Sequence, residues 1–383
     1  MLRANLPWLN RMLAVDAAES RGDAAGALRL MEDMALGPDG RPWWRPERLR
    51  RLRQLADLGD GVPAWVWGRW IVAQAAQSTP GQPRRANEVA VTTRGGPGTL
   101  WGVDHEDARA KVMDHDWVYR QLVLYEYGGL TTFVRRMSGG PLVGRVSEVT
   151  SWSSARMGAY ELLAEEPDRI RWLDLASRDV VETVNLGGAS LMAVGEAAIG
   201  RIVEAAGTKL FESAPLCVPP EVAHAVADAP QAWMDAVAVG CRGEWGDVLS
   251  EFIAKMNHFD LLSDLSASVR RQLLQPADPG LRPDRVGTGG NGREYDAALV
   301  LAALAGEVAV EAQTDDSSAA QLDEERPQTP LVAAALLEPG TIQALVPMLV
   351  ASDAQDLRVW AGLMPAPADR VCMRLADRIA SAA

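Results

Sequence analysis

Residues 159–213 read AYELLAEEPDRIRWLDLASRDVVETVNLGGASLMAVGEAAIGRIVEAAGTKLFES, a pattern unlike that of the rest of the chain. Short apolar runs rich in β-branched and aromatic residues alternate there with glycine, proline, aspartate and serine. Short strands joined by short loops form an antiparallel meander, because a hairpin needs only a few connecting residues. About five or six such strands can close into a small barrel. The predicted strands are Tyr160–Leu163, Ile170–Leu175, Val180–Val184, Leu191–Val194, Ala197–Val203 and Lys209–Ser213.

The segments on both sides of this stretch have apolar residues at helical spacing. Near the start, Leu2, Leu6, Leu9 and Leu13 fall on one face of a helix, and Gly22 then marks a turn before a second helix. The sequence therefore predicts an α+β fold. It has a helical N-terminal module, a central antiparallel β-meander or small barrel, and a helical C-terminal part.

Proline, glycine and charge mark where these parts meet. At 383 residues the chain is long enough for two or three domains. Two stretches rich in proline and glycine have no apolar periodicity and are interpreted as linkers, and a third stretch is strongly acidic. The predicted division is a helical module at 1–77, a linker at 78–98, an α+β domain at 99–275 with the meander at about 159–213, a linker at 276–293, and a helical part at 294–383 with an acidic loop at 314–330.

The composition excludes several classes of protein. The net charge of −13 disfavours broad binding to phosphate backbones. Only three basic residues are lysines, which is typical of a GC-rich, actinobacterial-like genome. Three scattered cysteines without a CxxC motif indicate neither a zinc site nor a disulfide framework, so no metal or cofactor is predicted. The start lacks a signal-peptide pattern and no apolar run reaches about 20 residues, so we expect a soluble, cytoplasmic protein without membrane contact.

Tryptophan is unusually frequent, with 13 Trp against five Tyr and four Phe. Large rings at this density fill a core or an interface. The leading hypothesis is therefore a non-enzymatic interaction or regulatory protein that binds a protein partner or itself through its helical, Trp-rich surfaces. The predicted binding residues are Trp43, Trp44, Arg48, Arg51, Trp65 and Trp67.

The densest polar cluster lies at 104–116 and supports an alternative hypothesis, a hydrolytic enzyme of the phosphoester type. Its candidate catalytic residues are His105, Asp114, His115 and Asp116. On one straight helix, however, the two histidines would lie about 280° apart around the axis and about 15 Å apart along it, so they cannot share a metal ion. His115 also falls on an apolar stripe with Tyr119 and Leu122, which is the pattern of a core residue.

The arginine-rich helix at 45–53, next to two tryptophans that could stack on bases, supports a third hypothesis, a nucleic-acid-associated factor. Against it, residues 1–57 hold ten arginines and eight acids, a net charge of only +2. A charged outer helix face is the simpler interpretation. Charge complementarity also suggests that the acidic loop docks on this helix.

The sequence contains two weaker motifs. Gly287–Gly292 matches G-x-G-x-x-G, but the segment before it is rich in proline and does not predict the strand that a phosphate loop requires. Cys217 and His224 form a catalytic pair only if the chain folds back at Pro219. Neither motif predicts a site.

Overall fold

A computed structural model describes residues 7–33, 43–78, 83–96, 111–255, 260–265, 270, 274–276, 292–304, 308–310 and 328–382. The chain is a mixture of helices and antiparallel sheet, with the sheet in the middle and helices toward both ends, so the predicted α+β class is confirmed. Before the sheet, the helices are α1 (Pro7–Ser20), α2 (Ala24–Glu32), α3 (Pro46–Leu58), α4 (Ala64–Ser78), α5 (Pro83–Thr93), α6 (Trp117–Gln121), α7 (Gly129–Arg136), α8 (Pro141–Gly144) and α9 (Val149–Trp152).

The N-terminal hairpin forms as predicted, but the two leucines of its stripe that the structure describes, Leu9 and Leu13, face outward. The Asp23 side chain accepts a hydrogen bond from Gly26 N at 2.7 Å and caps α2. Helix α1 buries Val15 and Ala18, whereas Leu9 is 42% and Leu13 is 57% exposed. The small residues allow α1 to approach its neighbours closely, and this contact outweighs the burial of the leucines.

The central strands are β1 (Gly158–Glu165), β2 (Arg169–Asp174), β3 (Val180–Val184), β4 (Ala197–Gly200), β5 (Ile202–Ala205), β6 (Thr208–Phe211) and β7 (Leu216–Val218). Five of them form a sheet in the order β3-β2-β1-β4-β7, and β5 pairs with β6 in a separate hairpin. Only β1 to β3 form a simple meander. Within the described residues β3 and β7 each pair with one strand, so backbone pairing does not close a barrel there.

Two details of the predicted strands are wrong. Leu191–Val194 contains no strand. It lies in a turn-rich connection that buries Met192 and returns the chain to the far side of β1. The predicted strand Ala197–Val203 is divided at Arg201, whose buried guanidinium donates to Gln121 Oε1 at 2.8 Å. The last strand, β7, was not predicted, because its three residues are too short to show alternation.

The sheet is covered on both faces around β4 and β7, whereas β2 and β3 expose one face to solvent at Arg171 and Glu182. One face carries Tyr160, Leu162 and Trp172, and it packs together with Phe211 of β6. The Trp172 indole N–H donates to Thr183 Oγ1 at 3.0 Å, so the buried ring has a polar partner. The opposite face packs on the helices that follow the sheet: α10 (Pro220–Asp228), α11 (Trp233–Gly240) and α12 (Gly246–Lys255).

Beyond α12, the described residues add a short β8–β9 pair and five helices. These elements are β8 (Leu274–Pro276), α13 (Gly292–Leu304), β9 (Val308–Val310), α14 (Thr329–Leu336), α15 (Thr341–Leu345), α16 (Asp353–Ala361) and α17 (Ala368–Ala382). The predicted helical part from 294 thus also contains a strand, β9. Most of the linker at 276–293 and of the acidic loop at 314–330, including residues 287–291 of the Gly287–Gly292 motif, lies outside the described residues.

Helices from both ends of the chain share one apolar core. It joins Trp70 of α4 to Val332 of α14 and Leu375 of α17. Arg50 of α3 reinforces the contact, because its guanidinium lies 2.9 Å from Asp260 Oδ2 and 3.0 Å from Glu338 Oε1. The predicted division of the chain treats the helical module at 1–77 and the helical part at 294–383 as separate, and it did not anticipate that they pack together.

The predicted linker at 78–98 contains helix α5, which is a correction. Pro83 begins the helix, and Ala86 and Ala90 are fully buried one turn apart against the core behind the sheet. The prolines and glycines that suggested a linker lie at the ends of the helix. Among the described helices, none is by itself long and apolar enough to cross a membrane. One pair bent by 96°, at 329–336 and 341–348, meets the length and composition criteria when taken together.

Candidate functional site

The predicted tryptophan anchors are mostly core residues. Trp44, Trp65 and Trp67 are 4%, 3% and 5% exposed, and Trp43 is half-buried. The Trp44 indole donates to the Met31 carbonyl oxygen at 3.2 Å, which fixes the ring against α2. In this conformation three of these four rings stabilise the fold and are not available to a partner. The sequence pattern indicated the apolar role of these rings, but it did not indicate that they face the core.

The arginines of α3 are largely engaged by acids of the same chain. Arg48 lies 2.6 Å from both Asp16 Oδ1 and Glu19 Oε1. Arg45 lies 2.8 Å from Asp114 Oδ1. Sequence analysis expected these guanidinium groups on a solvated outer face. Because distant carboxylates neutralise them, α3 does not present the continuous positive surface that binding to a phosphate backbone requires.

A cavity of about 190 Å³ brings two of the predicted clusters together, and we call it the Trp–Arg cavity. Predicted binding residues from the chain around α3 line one side, and Asp114 from the polar cluster lines the other. Its aromatic and charged lining residues are Trp43, Trp44, Tyr119, Arg45, Arg48, Arg51, Glu47 and Asp114. Residues about 70 positions apart in sequence thus share a site that neither pattern predicted.

Burial dominates the electrostatics of this cavity. It lowers the pKa of Arg51 to about 10, against the attraction of Glu19 and Glu47, because water no longer stabilises the guanidinium charge. Burial likewise raises the pKa of Asp114, and the charge of Arg45 opposes this shift. The cavity therefore holds charged groups that are incompletely solvated.

Asp116 has a structural role. It interrupts the long helix that the sequence predicts from Asp104 to Tyr127, because its carboxylate caps α6 by accepting from Tyr119 N at 2.8 Å. The carboxylate also lies 2.9 Å from Arg94 Nη1, and both side chains are almost fully buried. Burial raises the pKa of Asp116 to about 6, with Arg94 opposing the shift.

The remaining members of the polar cluster do not assemble into a catalytic centre. His105 lies outside the described residues, and His115 ends the short helical segment at 111–115. In the part of the chain that the structure describes, no group of three His, Cys, Asp or Glu side chains is arranged to hold a metal ion. The geometry thus gives the hydrolytic alternative no support.

A buried polar network, which the sequence analysis missed, lies between α6 and the sheet. Glu212 accepts from Gln121 Nε2 at 2.6 Å and from Arg120 Nη2 at 3.0 Å, and these contacts lower its pKa despite burial. Glu126 accepts from Arg201 Nη2 at 2.9 Å and from the Trp233 indole, also at 2.9 Å. No cavity described above reaches these groups, so the network orients the helices on the sheet. Spacing along the chain could not reveal it, since the paired residues are 75 to 107 positions apart.

An open apolar groove lies beside β7, and we call it the β7 groove. It has a volume of about 370 Å³. Its walls are the turn at 191–197, the edge strand with the following Pro219 and Pro220, and the exposed side of α12. Trp245 is 57% and Val248 is 45% exposed on this last wall.

Cys217 lines the β7 groove but is not an activated nucleophile. Burial, together with a smaller contribution from the charge of Glu196, raises the pKa of its thiol to about 12. A neutral thiol is a poor nucleophile and packs as a small apolar group. The Cys217–His224 hypothesis therefore gains no support.

Comparison with known proteins adds no assignment. No protein-family model, curated protein or solved structure is significantly similar to this chain, so the function has to be inferred from its own geometry.

Proposed function

We propose that this protein is a non-enzymatic interaction protein and that its docking surface is the β7 groove. Its partner is a polypeptide segment with a few apolar side chains flanked by lysine or arginine. The observation that carries the proposal is a large indole, Trp245, that is more than half exposed at the wall of an apolar groove. An exposed aromatic ring in such a setting is typical of an anchor for a partner.

The groove suits a polypeptide better than it suits a small molecule. A small-molecule site buries most of its ligand. Here Trp245 and Val248, which line the groove, are open to solvent. An interaction protein is the class of function that the tryptophan content indicates. The proposed docking surface, however, is at α12 and not at the buried tryptophans of α4.

The charge around the groove selects the partner. The three segments that form its walls, 191–196, 216–221 and 244–252, contain five acids and neither lysine nor arginine. Glu196 lines the groove, Glu221 follows Pro220, and Glu244 precedes Trp245. An acidic rim attracts a basic segment and repels an acidic one, which gives specificity and a faster association rate. The three free cysteines of the chain support a reducing compartment, and we propose the cytoplasm.

Binding of short synthetic peptides, measured by fluorescence anisotropy, tests the proposal. One labelled peptide combines leucine and lysine, and its control has the same leucines with glutamate in place of lysine. Trp245→Ala removes the anchor. Val239→Ala is the matched control, because Val239 is 62% exposed on α11 and does not line the groove.

The lysine peptide should bind the wild-type chain, and Trp245→Ala should weaken binding at least about ten-fold, as loss of an interface anchor does. Val239→Ala should bind as the wild type does. Two results overturn the proposal: equal binding of both peptides, or equal binding to the wild type and Trp245→Ala.

A further inference from the structure

The backbone pairing of β4 decides which groups of β7 face the β7 groove. In antiparallel strands, successive residues direct their N–H and C=O groups alternately to the neighbour on one side and to the neighbour on the other. Leu162 N of β1 donates to the Glu196 carbonyl oxygen at 2.9 Å, so Glu196 and, two residues later, Ala198 are directed toward β1. Ala197 and Ile199 are therefore directed toward β7.

Cys217 of β7 consequently directs its backbone away from the sheet. Its neighbours Leu216 and Val218 lie opposite Ile199 and Ala197 and form the hydrogen-bonded pairs with β4. The N–H and C=O of Cys217 point outward, and among the described residues neither group has a hydrogen-bond partner. Cys217 is only half-buried and lines the groove. An unpaired strand edge of this kind is a template for pairing with another chain.

Prolines limit this edge to a single pairing position. Pro215 and Pro219 occupy the next outward positions, two residues before and after Cys217, and proline has no N–H. The Pro219 carbonyl oxygen already accepts from Val222 N at 3.0 Å. A long β-ladder therefore cannot form here, which protects the edge from aggregation. One residue of a partner can still exchange two hydrogen bonds with Cys217.

We infer that the partner of the β7 groove binds in an extended conformation and carries an apolar–basic–apolar triplet whose middle residue exchanges two backbone hydrogen bonds with Cys217. This inference rests on the proposed function, and it adds the backbone conformation and the residue order of the partner. In recognition by strand addition, main-chain hydrogen bonds give affinity and the sites for alternate side chains give specificity.

The apolar positions of the triplet follow from the side of the sheet that α12 covers. Leu216 and Val218 direct their side chains to that side, where α12 buries Leu249. The partner residues before and after the middle one direct their side chains to the same side, because side chains alternate along a strand. There they meet the wall of the groove that carries the exposed ring of Trp245.

The basic position follows from the opposite side. The middle residue of the triplet shares the face of the Cys217 side chain, because residues of a hydrogen-bonded pair lie directly opposite each other. Glu196 is exposed and lines the groove, and its charge contributes to the raised pKa of the Cys217 thiol, so its carboxylate lies near this face. Ala193 N donates to this carboxylate at 2.8 Å and holds it in place. A lysine or arginine at the middle position therefore meets an opposite charge.

Methylation of single peptide nitrogens tests the inference by fluorescence anisotropy on the full chain. The parent peptide carries leucine-lysine-leucine between glycine and lysine residues. Three variants each carry one N-methyl group, on the lysine of the triplet or on either leucine, and keep every side chain and charge. An isomer with the order leucine-leucine-lysine is the control for residue order. Hydrogen exchange of the Cys217 amide, measured by NMR with and without the parent peptide, observes the same contact from the protein.

Methylation of the middle nitrogen should weaken binding at least about five-fold, as loss of one buried hydrogen bond does. Methylation of either leucine nitrogen should change binding less than about two-fold, because these N–H groups face away from β7. The isomer should bind at least about five-fold more weakly than the parent. In the complex, exchange of the Cys217 amide should slow at least about ten-fold. The Val218 amide, which is paired with β4, should be protected with and without peptide.

Equal binding of the three methylated peptides, or unchanged exchange of the Cys217 amide in the complex, overturns the inference. A partner that binds as a helix would give equal losses at the three positions, because each of them lies inside the helix. In these cases the parent peptide still binds and the proposed function stands. If the parent does not bind, or binds Trp245→Ala as tightly as the wild type, the proposed function fails and this inference fails with it.

Discussion

Gly68 in the interior of α4 provides a quantitative test of how the helices pack against the β5–β6 hairpin. Replacing glycine by alanine inside a helix ordinarily stabilises a protein by about 1 kcal/mol, because alanine restricts the unfolded chain. Here a Cβ atom at residue 68 would lie 2.4 Å from the Trp152 ring atom Cη2 and 2.8 Å from Cζ2 and Cζ3. Carbon atoms in contact prefer about 3.5–4.0 Å, so the ring would have to move by about 1 Å.

The ring has little freedom to move. Trp152 is 1% exposed, and its indole N–H donates to the Glu204 carbonyl oxygen of β5 at 2.7 Å. Overpacking a tight core costs about 1–3 kcal/mol, and weakening this hydrogen bond costs about 1 kcal/mol more. After the helix gain is subtracted, Gly68→Ala should lower the free energy of unfolding by about 1–3 kcal/mol.

Urea-induced unfolding followed by circular dichroism measures this change. Gly144→Ala is the matched control, since a Cβ at that position of α8 has no atom within 4 Å, and this variant should therefore keep a helix gain of up to about 1 kcal/mol. In a Trp152→Leu background, Gly68→Ala should instead raise the free energy of unfolding relative to Trp152→Leu alone, because the smaller side chain at 152 leaves space for the new Cβ. A Gly68→Ala variant more stable than the wild type would refute the packing argument.

Two further predictions concern buried charges. The folded chain keeps a proton on Asp116 up to about pH 6, whereas the unfolded chain releases it near pH 4. As the pH rises between these values, the free energy of unfolding should therefore fall by about 3 kcal/mol because of this residue. Urea titrations of the wild type and Asp116→Asn across this range measure the difference, and parallel curves would contradict the prediction. Arg50→Met leaves Asp260 and Glu338 without their shared guanidinium and should destabilise the chain by about 3 kcal/mol. Exposed Arg53→Met is its control, and thermal melting that moves equally in both variants would show that the ion pairs contribute nothing.

Local pattern was sufficient to predict the class of fold and most of its strands. The runs at 160–163, 170–175 and 180–184 succeeded because tight turns separate them and each turn depends only on its own residues. Leu191–Val194 failed for a tertiary reason. Met192 enters the core from an irregular connection, and four consecutive apolar residues do not distinguish this arrangement from a strand.

The two sites depend on contacts that a linear pattern does not contain. The arginines of α3 were found in the sequence, but Arg50 meets acids more than 200 residues further along the chain. Trp65 and Trp245 are chemically identical in the sequence, yet one is buried and the other is exposed beside β7. Which tryptophan can meet a partner is therefore decided by the neighbours of each ring in the fold.

The apolar core shared by the two ends of the chain has a consequence for synthesis. Helices α1 to α4 leave the ribosome first, but α14 and α17, which complete their core, follow about 250 to 300 residues later. At elongation rates of about 5–20 residues per second, the early helices spend at least about ten seconds without these partners. During that interval the apolar core that the early helices share with α14 and α17 is incomplete, and the biogenesis of the chain is correspondingly sensitive to translation speed and chaperone supply.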